Sequence, residues 1–130
     1  MCGIIALFGE EVEVSEYKLT HRGPDDYRSK TLGKCRMDFY RLAINDLTDA
    51  GMQPFRQGNK MLVCNGEIYN YREFLTGTET SKSDCEVLIP LISIKFSSNS
   101  TYFYLVDALI SSLADLIQIH FFPVIQILPG

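Results

Sequence analysis

The chain has 130 residues, of which 46% are hydrophobic and 22% charged, and this fits one globular domain with a sizeable core. A formal net charge of -4 without a basic cluster excludes the usual pattern of a nucleic-acid-binding protein. The cysteines are widely spaced and only 2 histidines are present, which makes a structural zinc site improbable. No secretory signal opens the chain, so we expect a cytoplasmic protein with reduced thiols.

The amino terminus places a cysteine directly after the initiator methionine. If Met1 is removed, Cys2 carries both a thiol and a free α-amine. An α-amine titrates close to neutral pH, so this one residue could act as nucleophile and as general base. A cysteine at this position is more often incidental, and the first residues alone leave both interpretations open.

The first half of the chain predicts strands joined by loops. Residues 3–8 form an apolar run typical of a buried strand. Residues 27–32 and 35–44 predict a strand pair that turns near Gly33, with alternate side chains on opposite faces. Residues 45–59 contain Asp, Gly, Pro and Asn and predict loops.

The next segment predicts one more buried strand and then helical structure. Residues 60–64 read as a buried strand, and residues 70–74 as a helical turn. Ser83 followed three residues later by Glu86 predicts a capping box at the start of a helix. Pro90 predicts a kink or an early end of that helix, since proline removes a backbone donor.

The last part of the chain has a different character. Residues 97–101 resemble a linker, and residues 102–129 are strongly apolar. Polar side chains recur about every fourth position in that stretch and predict a helix with most of its surface buried or lying on a membrane. They are Asp107, Ser111, Asp115 and Gln118. Two carboxylates within the stretch count against a membrane span, so membrane association is not expected.

Five ordered motifs distinguish the region before this tail. They are MCGI at 1–4, HRGPD at 21–25, RLAINDL at 41–47 with GMQP at 51–54, NGEIYN at 65–70, and SDCEV at 83–87. Their order and spacing resemble the glutaminase domain of glutamine-dependent asparagine synthetase, a class II, N-terminal-nucleophile glutamine amidotransferase. HRGPD together with NGEIYN points to this branch rather than to the sugar-phosphate or purine-pathway branches.

The resemblance implies hydrolysis of glutamine to glutamate and ammonia through a thioester on Cys2. The oxyanion of the tetrahedral intermediate needs fixed donors, which the Asn65 side-chain amide and the Gly66 backbone N–H could provide. Taken alone, Asn65-Gly66 predicts a type I′ hairpin turn first. The HRGPD loop would shape and close the pocket, with its histidine and arginine as anchors of the loop rather than catalysts.

The substrate is an amino acid, so its site needs a cation for the carboxylate and anions for the ammonium. Arg41 suits bidentate binding of a carboxylate, although it could also be a solvated strand residue. The resemblance assigns Glu67 and Asp84 to the ammonium, while an acid such as Asp84 is favoured in the first turn of a helix in any case. It also places Leu42 and Ile44 in the glutamine site.

The resemblance implies an α+β fold, the αββα sandwich of two antiparallel sheets. The segment between Gly9 and His21 is short for the family's first helix, and the later strands are missing after residue 96. We therefore expect an incomplete glutamine amidotransferase domain at 1–96 and an apolar helical tail of unclear origin at 97–130. Open sheet edges would be an aggregation liability unless the tail covers them.

Two hypotheses follow for function. In the first, the chain is the glutaminase part of an asparagine synthetase-like enzyme, binds glutamine, and needs a synthetase domain or subunit in trans to use the ammonia. No cofactor is expected in this chain, and ATP and Mg²⁺ are expected only for the missing synthetase domain. In the second, the chain is a catalytically inert truncated remnant, or an interaction partner of a full-length relative.

Overall fold

The computed structural model describes residues 2–9, 18–44, 46–95, 102–105, 119–121 and 125–129. The strands are β1 (Gly3–Phe8), β2 (Asp26–Leu32), β3 (Cys35–Arg41), β4 (Phe55–Gln57), β5 (Lys60–Val63), β6 (Gly66–Ile68), β7 (Tyr102–Leu105), β8 (Ile119–Phe121) and β9 (Ile125–Pro129). Short 3-10 helices lie at Asp49–Gly51, Tyr71–Phe74 and Asp84–Val87, and the last of these continues into the α-helix α1 (Leu88–Lys95).

The described strands form mixed sheets with few helices beside them. One sheet has the order β2-β3-β1-β9, a second the order β4-β5-β7, and β6 pairs with β8. Neighbours that both precede residue 97 pair in antiparallel fashion, as predicted. The parallel pairs are β1 with β9 and β5 with β7, and each contains a strand from the apolar tail. The α+β class is therefore confirmed in outline.

The hairpin of β2 and β3 follows from its turn chemistry. Leu32 pairs with Cys35, and Gly33 between them has φ 58°, a left-handed conformation that glycine adopts without steric cost. β3 then pairs along β1, where Gly3 faces Tyr40. The predicted strand pair is thus confirmed, except that β3 ends at Arg41 instead of residue 44.

The apolar run of β1 is explained by burial on both faces of its sheet. Ile5 and Leu7 pack on one face against Leu19 and Tyr40. The opposite face of this sheet packs against β5, and alternate residues of each strand share that core. The core between the sheets contains Ile4, Ala6, Cys35, Met37, Phe39, Met52, Met61 and Val63.

A second core joins the other face of β5 to the helical segment at 84–89. Leu62 and Cys64 point to this side, whereas Met61 and Val63 point to the first core. Its buried members are Phe55, Leu62, Cys64, Ile68, Cys85, Val87, Leu88 and Ile89. The β1 sheet, the β5 sheet and the helical segment therefore lie in successive layers. The strand ends between these layers are the place where a site can form.

The tail prediction is wrong for the residues that the structure describes. Residues 102–105, 119–121 and 125–129 are strands, where an apolar helix was expected. A continuous apolar run does not distinguish a buried strand from a buried helix, and aromatic and β-branched residues at these positions favour strands. Within the described ranges, no helix is long and apolar enough to cross a membrane. The predicted linker at 97–101 and the polar positions of the expected helix lie outside those ranges.

The predicted capping box is also wrong. Ser83 precedes the 3-10 helix but makes no side-chain cap hydrogen bond. The Glu86 carboxylate instead accepts hydrogen bonds from the backbone N–H groups of Thr80 and Ser81, each at 2.8 Å. Pro90 lies in the first turn of α1, where the lost donor costs least, so the helix continues to Lys95.

Candidate active site

One open pocket brings together every residue predicted for the site. Its walls are the start of β1, the ends of β3 and β5, the start of β6, and the 3-10 helix at 84–87. The predicted residues that line it are Cys2, Arg41, Leu42, Ile44, Asn65, Gly66, Glu67 and Asp84. The pocket is open to solvent, and its cavity has a volume of about 90 Å³.

Cys2 lies at the edge of β1 with its sulfur against the backbone of Leu42. The Leu42 N–H donates to Sγ over 3.3 Å, and Sγ lies 3.5 Å from the Leu42 carbonyl oxygen. Burial raises the pKa of the Cys2 thiol, and the Leu42 N–H opposes this by lowering it. Because the pKa is raised, the thiol keeps its proton at neutral pH and requires a base to become a nucleophile.

The HRGPD loop holds the backbone on both sides of this thiol. Arg22 Nε donates to the Cys2 carbonyl oxygen over 3.4 Å, and its buried Nη2 has no hydrogen-bond partner among the described residues. Asp25 accepts a hydrogen bond from the Ala43 N–H at 2.8 Å. A Cβ at Gly23 would lie 2.0 Å from the Tyr40 carbonyl oxygen, so a side chain has no room there. These contacts fit the predicted anchoring role of the loop.

The Asn65-Gly66 pair does not form a hairpin turn. β5 and β6, which flank it, belong to different sheets. A type I′ turn needs positive φ at both central residues, whereas the described residues with positive φ are Gly33, Gly58 and Gly77. The pair is therefore a strand-to-strand crossing at the pocket wall, with Asn65 buried.

Positive and negative side chains face the same pocket. Arg41 is 7% exposed, so it is not a solvated strand residue, and its Nη1 donates to the Thr48 carbonyl oxygen over 2.8 Å. Asp84 is also buried, and its Oδ2 accepts a hydrogen bond from the Ile68 N–H at 2.6 Å. Glu67 is half-buried on β6. A ligand that carries both a carboxylate and an ammonium fits this distribution of charge.

The backbone turns away from the sheet directly after Arg41, which brings Leu42 and Ile44 to the pocket. Leu42 contributes backbone atoms next to the Cys2 sulfur. Ile44 is 63% exposed at the mouth. Ile44 therefore adds an apolar side chain at the mouth of the pocket.

Sequence reasoning assigned no role to two buried polar residues of the wall. Asp46 accepts hydrogen bonds from the backbone N–H groups of Lys82 and Thr48 and from the Thr48 hydroxyl, and these lower its pKa to about 2. Gln53 Oε1 accepts a 2.7 Å hydrogen bond from the Cys64 N–H, beside Asn65. Both lie within motifs that carry the family resemblance, and their place in these motifs could have marked them as candidates for the site.

Other thiols also lie at the pocket wall, but they are fully buried. Cys64 is 2% exposed and Cys85 is 3% exposed. A hydrogen bond with Cys64, together with burial, raises the pKa of Cys85. Cys2 is therefore the most accessible thiol of the pocket. The described residues contain no group of three or more His, Cys, Asp or Glu side chains placed to hold a metal ion.

A family model described as a glutamine amidotransferase domain matches residues 1–96. The chain belongs to the glutamine amidotransferase domain family. No solved structure matches the chain. The family match covers all the motifs quoted above and all residues predicted for the site.

Similar proteins place the chain beside one branch of this family. It is 39% identical over 111 residues to a probable asparagine synthetase [glutamine-hydrolyzing] of Acanthamoeba polyphaga mimivirus, covering 73% of this chain and 20% of that protein. It is 38% identical over 105 residues to the human asparagine synthetase [glutamine-hydrolyzing], covering 70% of this chain and 18% of that protein. The predicted resemblance to the glutaminase domain of asparagine synthetase is confirmed. The chain spans about a fifth of the length of these relatives.

Proposed function

We propose that this chain hydrolyses the side-chain amide of glutamine and releases glutamate and ammonia. The observation that carries the proposal is the convergence of a half-buried thiol, Asn65-Gly66, and side chains of both charges on one pocket. These elements come from separate parts of the chain. The enzymatic hypothesis accounts for this convergence, and we propose it in preference to the inert one.

The first step is attack of the Cys2 sulfur on the amide carbon. After removal of Met1, the α-amine of Cys2 takes the thiol proton, because the raised pKa of the thiol leaves it protonated. The C–N bond of the tetrahedral intermediate then breaks, and the leaving nitrogen receives the proton and departs as ammonia. Water adds to the resulting thioester and releases glutamate, which restores the thiol.

Two donors would stabilise the oxyanion of each tetrahedral intermediate. They are the side-chain amide of Asn65 and the backbone N–H of Gly66, at the crossing between β5 and β6. Strand ends packed on two cores hold these groups in place before the substrate arrives. Such preorganised donors act on charge that develops only during the reaction, so they contribute to kcat.

The charged side chains would orient the amino acid part of glutamine. Arg41 would bind the α-carboxylate, and Glu67 and Asp84 would bind the α-ammonium. Leu42 and Ile44 would contact the methylene groups. The fold that supports this is proposed to be the N-terminal-nucleophile αββα sandwich, of which the two sheets and one helical layer are described above. Synthesis of asparagine would need an ATP-dependent synthetase unit beyond this region.

The test is ammonia release from L-glutamine by the purified chain, with removal of Met1 verified by intact mass. We expect Cys2→Ala to abolish release and to leave the melting temperature nearly unchanged, because the side chain is only half-buried. Cys35→Ala is the matched control, since Cys35 is a thiol in the core that does not line the pocket. Release by Cys2→Ala, or its unfolding, would contradict the proposal.

A further inference from the structure

Asp46 connects two segments of the pocket wall that are far apart in sequence. Its Oδ1 accepts hydrogen bonds from the Thr48 N–H at 2.9 Å and from the Thr48 hydroxyl at 2.7 Å. Its Oδ2 accepts one from the Lys82 N–H at 2.8 Å, across 36 positions of sequence. The residue is 6% exposed, so these bonds form largely out of contact with water. We call Asp46 with these bonds the rim bridge.

Each end of the rim bridge leads to a charge of the proposed glutamine site. On one side, the Thr48 carbonyl oxygen accepts the 2.8 Å hydrogen bond from Arg41. On the other side, Lys82 lies two residues before Asp84, which in turn binds the Ile68 N–H next to Glu67. A path of hydrogen bonds and short backbone links therefore runs from the cation to the anions around the pocket.

Packing restricts the same region. A Cβ at Gly51 would lie 2.6 Å from Asp46 Cβ and 3.0 Å from Arg41 Nη2. Both side chains thus rest on the Gly51 backbone, without space for a larger residue between them. The Asp46 side chain is hydrogen-bonded to Thr48 on one side and to Lys82 on the other. Its length therefore sets the distance between Arg41 and the segment at 82–84.

We propose that Asp46 is a positioning residue for glutamine binding. It does not contact the substrate but fixes Arg41 relative to Glu67 and Asp84, so that carboxylate and ammonium of one amino acid are bound together. This inference rests on the proposed function. A loop residue with only a structural role would change the free energy of unfolding and leave the affinity of the folded protein unchanged, and this difference makes the proposal testable.

The experiment measures L-glutamine binding by calorimetry in the Cys2→Ala background, which cannot turn the substrate over. Asp46→Asn retains the shape of the side chain but replaces one acceptor oxygen with an amide NH₂, so one half of the rim bridge is lost. We expect Kd to rise by about tenfold or more. The matched control is Asp49→Asn, because Asp49 belongs to the same loop but its side chain is 83% exposed.

Kinetics with Cys2 intact provide a second measurement. Asp46→Asn should raise KM for glutamine with kcat largely retained, because the nucleophile and the oxyanion donors are unchanged. If this variant does not fold, Thr48→Val replaces it, since it removes only the hydroxyl bond and should raise KM by about two- to fivefold.

The outcomes separate this inference from the proposed function. Equal Kd for Cys2→Ala with and without Asp46→Asn would overturn the rim bridge as a positioning device and leave glutamine hydrolysis standing. A fall in kcat without a rise in KM would overturn it as well. Failure of Cys2→Ala itself to bind glutamine would overturn both proposals, and a similar rise in Kd for Asp49→Asn would overturn this one.

Discussion

The two sides of the pocket are built in different ways. The reacting side, with Cys2, Asn65 and Gly66, is made of residues at strand ends, and its geometry follows from two packed sheets. The binding side, with Arg41 and Asp84, depends on single side-chain hydrogen bonds, from Arg41 to the Thr48 carbonyl oxygen and from the Ile68 N–H to Asp84. The backbone at a strand end is fixed by the whole core, whereas a charged side-chain group is fixed by a few polar contacts. Changes on the first side should therefore reduce kcat, and changes on the second should raise KM.

The largest effect in this comparison is expected at the oxyanion donor. Asn65→Ala should lower kcat by about 10²- to 10³-fold with a small change in KM, because the lost hydrogen bond forms mainly in the transition state. Steady-state ammonia release measures both constants. Asn70→Ala is the control, since the Asn70 side chain bonds Glu73 on the surface. A kcat close to that of the unchanged protein would contradict the role of Asn65 as an oxyanion donor.

A smaller effect, on KM instead of kcat, is expected at Arg41, the residue proposed to bind the carboxylate. Arg41→Ala should raise KM by about 10- to 100-fold while kcat falls much less, because a charge-assisted contact to bound substrate is lost. Arg41→Lys should recover part of the loss, since it restores the charge but not the bidentate geometry. Arg56→Ala, a change at an exposed arginine of β4, is the control. A loss confined to kcat would contradict the assignment of KM effects to the binding side and kcat effects to the reacting side.

The smallest effect is a dependence of stability on pH. Hydrogen bonds from Lys82 and Thr48, with Arg41 as the charged neighbour, lower the pKa of Asp46 from 3.8 to about 2. The folded state therefore binds fewer protons at this group than the unfolded state. The stabilisation by Asp46 is complete above about pH 4 and is lost as pH falls toward 2.

Urea unfolding of the unchanged chain and of Asp46→Asn at several pH values measures this dependence. The difference in the free energy of unfolding between the two proteins should shrink steadily between about pH 4 and pH 2. A difference that stays constant over that interval would mean that the carboxylate is not held ionised by these bonds.

The sequence allowed most of the reacting side to be predicted. The apolar runs that became β1 and β5 and the hairpin at Gly33 follow from periodicity and turn chemistry, and the residues at their ends were named in advance. The three-residue strands β4 and β6 were not predicted, because so short a strand has no period to detect. Their positions depend on pairing partners that are distant in sequence.

The binding side and the tail were harder to predict, for different reasons. The bonds of Asp46 and Gln53 join segments that only the tertiary fold brings together, and the motifs that contain these residues do not indicate their bonding partners. In the tail, an apolar composition fits helix and strand alike. The tail forms strands because β1 and β5 each have an edge that pairs with a strand from beyond residue 97.

The central claim is that Cys2, with its own amine exposed, is the nucleophile of a glutamine site. It is tested most directly by treating the purified chain with an electrophilic glutamine analogue and identifying the alkylated cysteine by peptide mass. We predict one adduct, on a peptide that begins with Cys2 and carries a free amine, and suppression of that adduct by excess L-glutamine. Alkylation confined to Cys64 or Cys85, or an adduct on Cys2 that glutamine does not reduce, would contradict it.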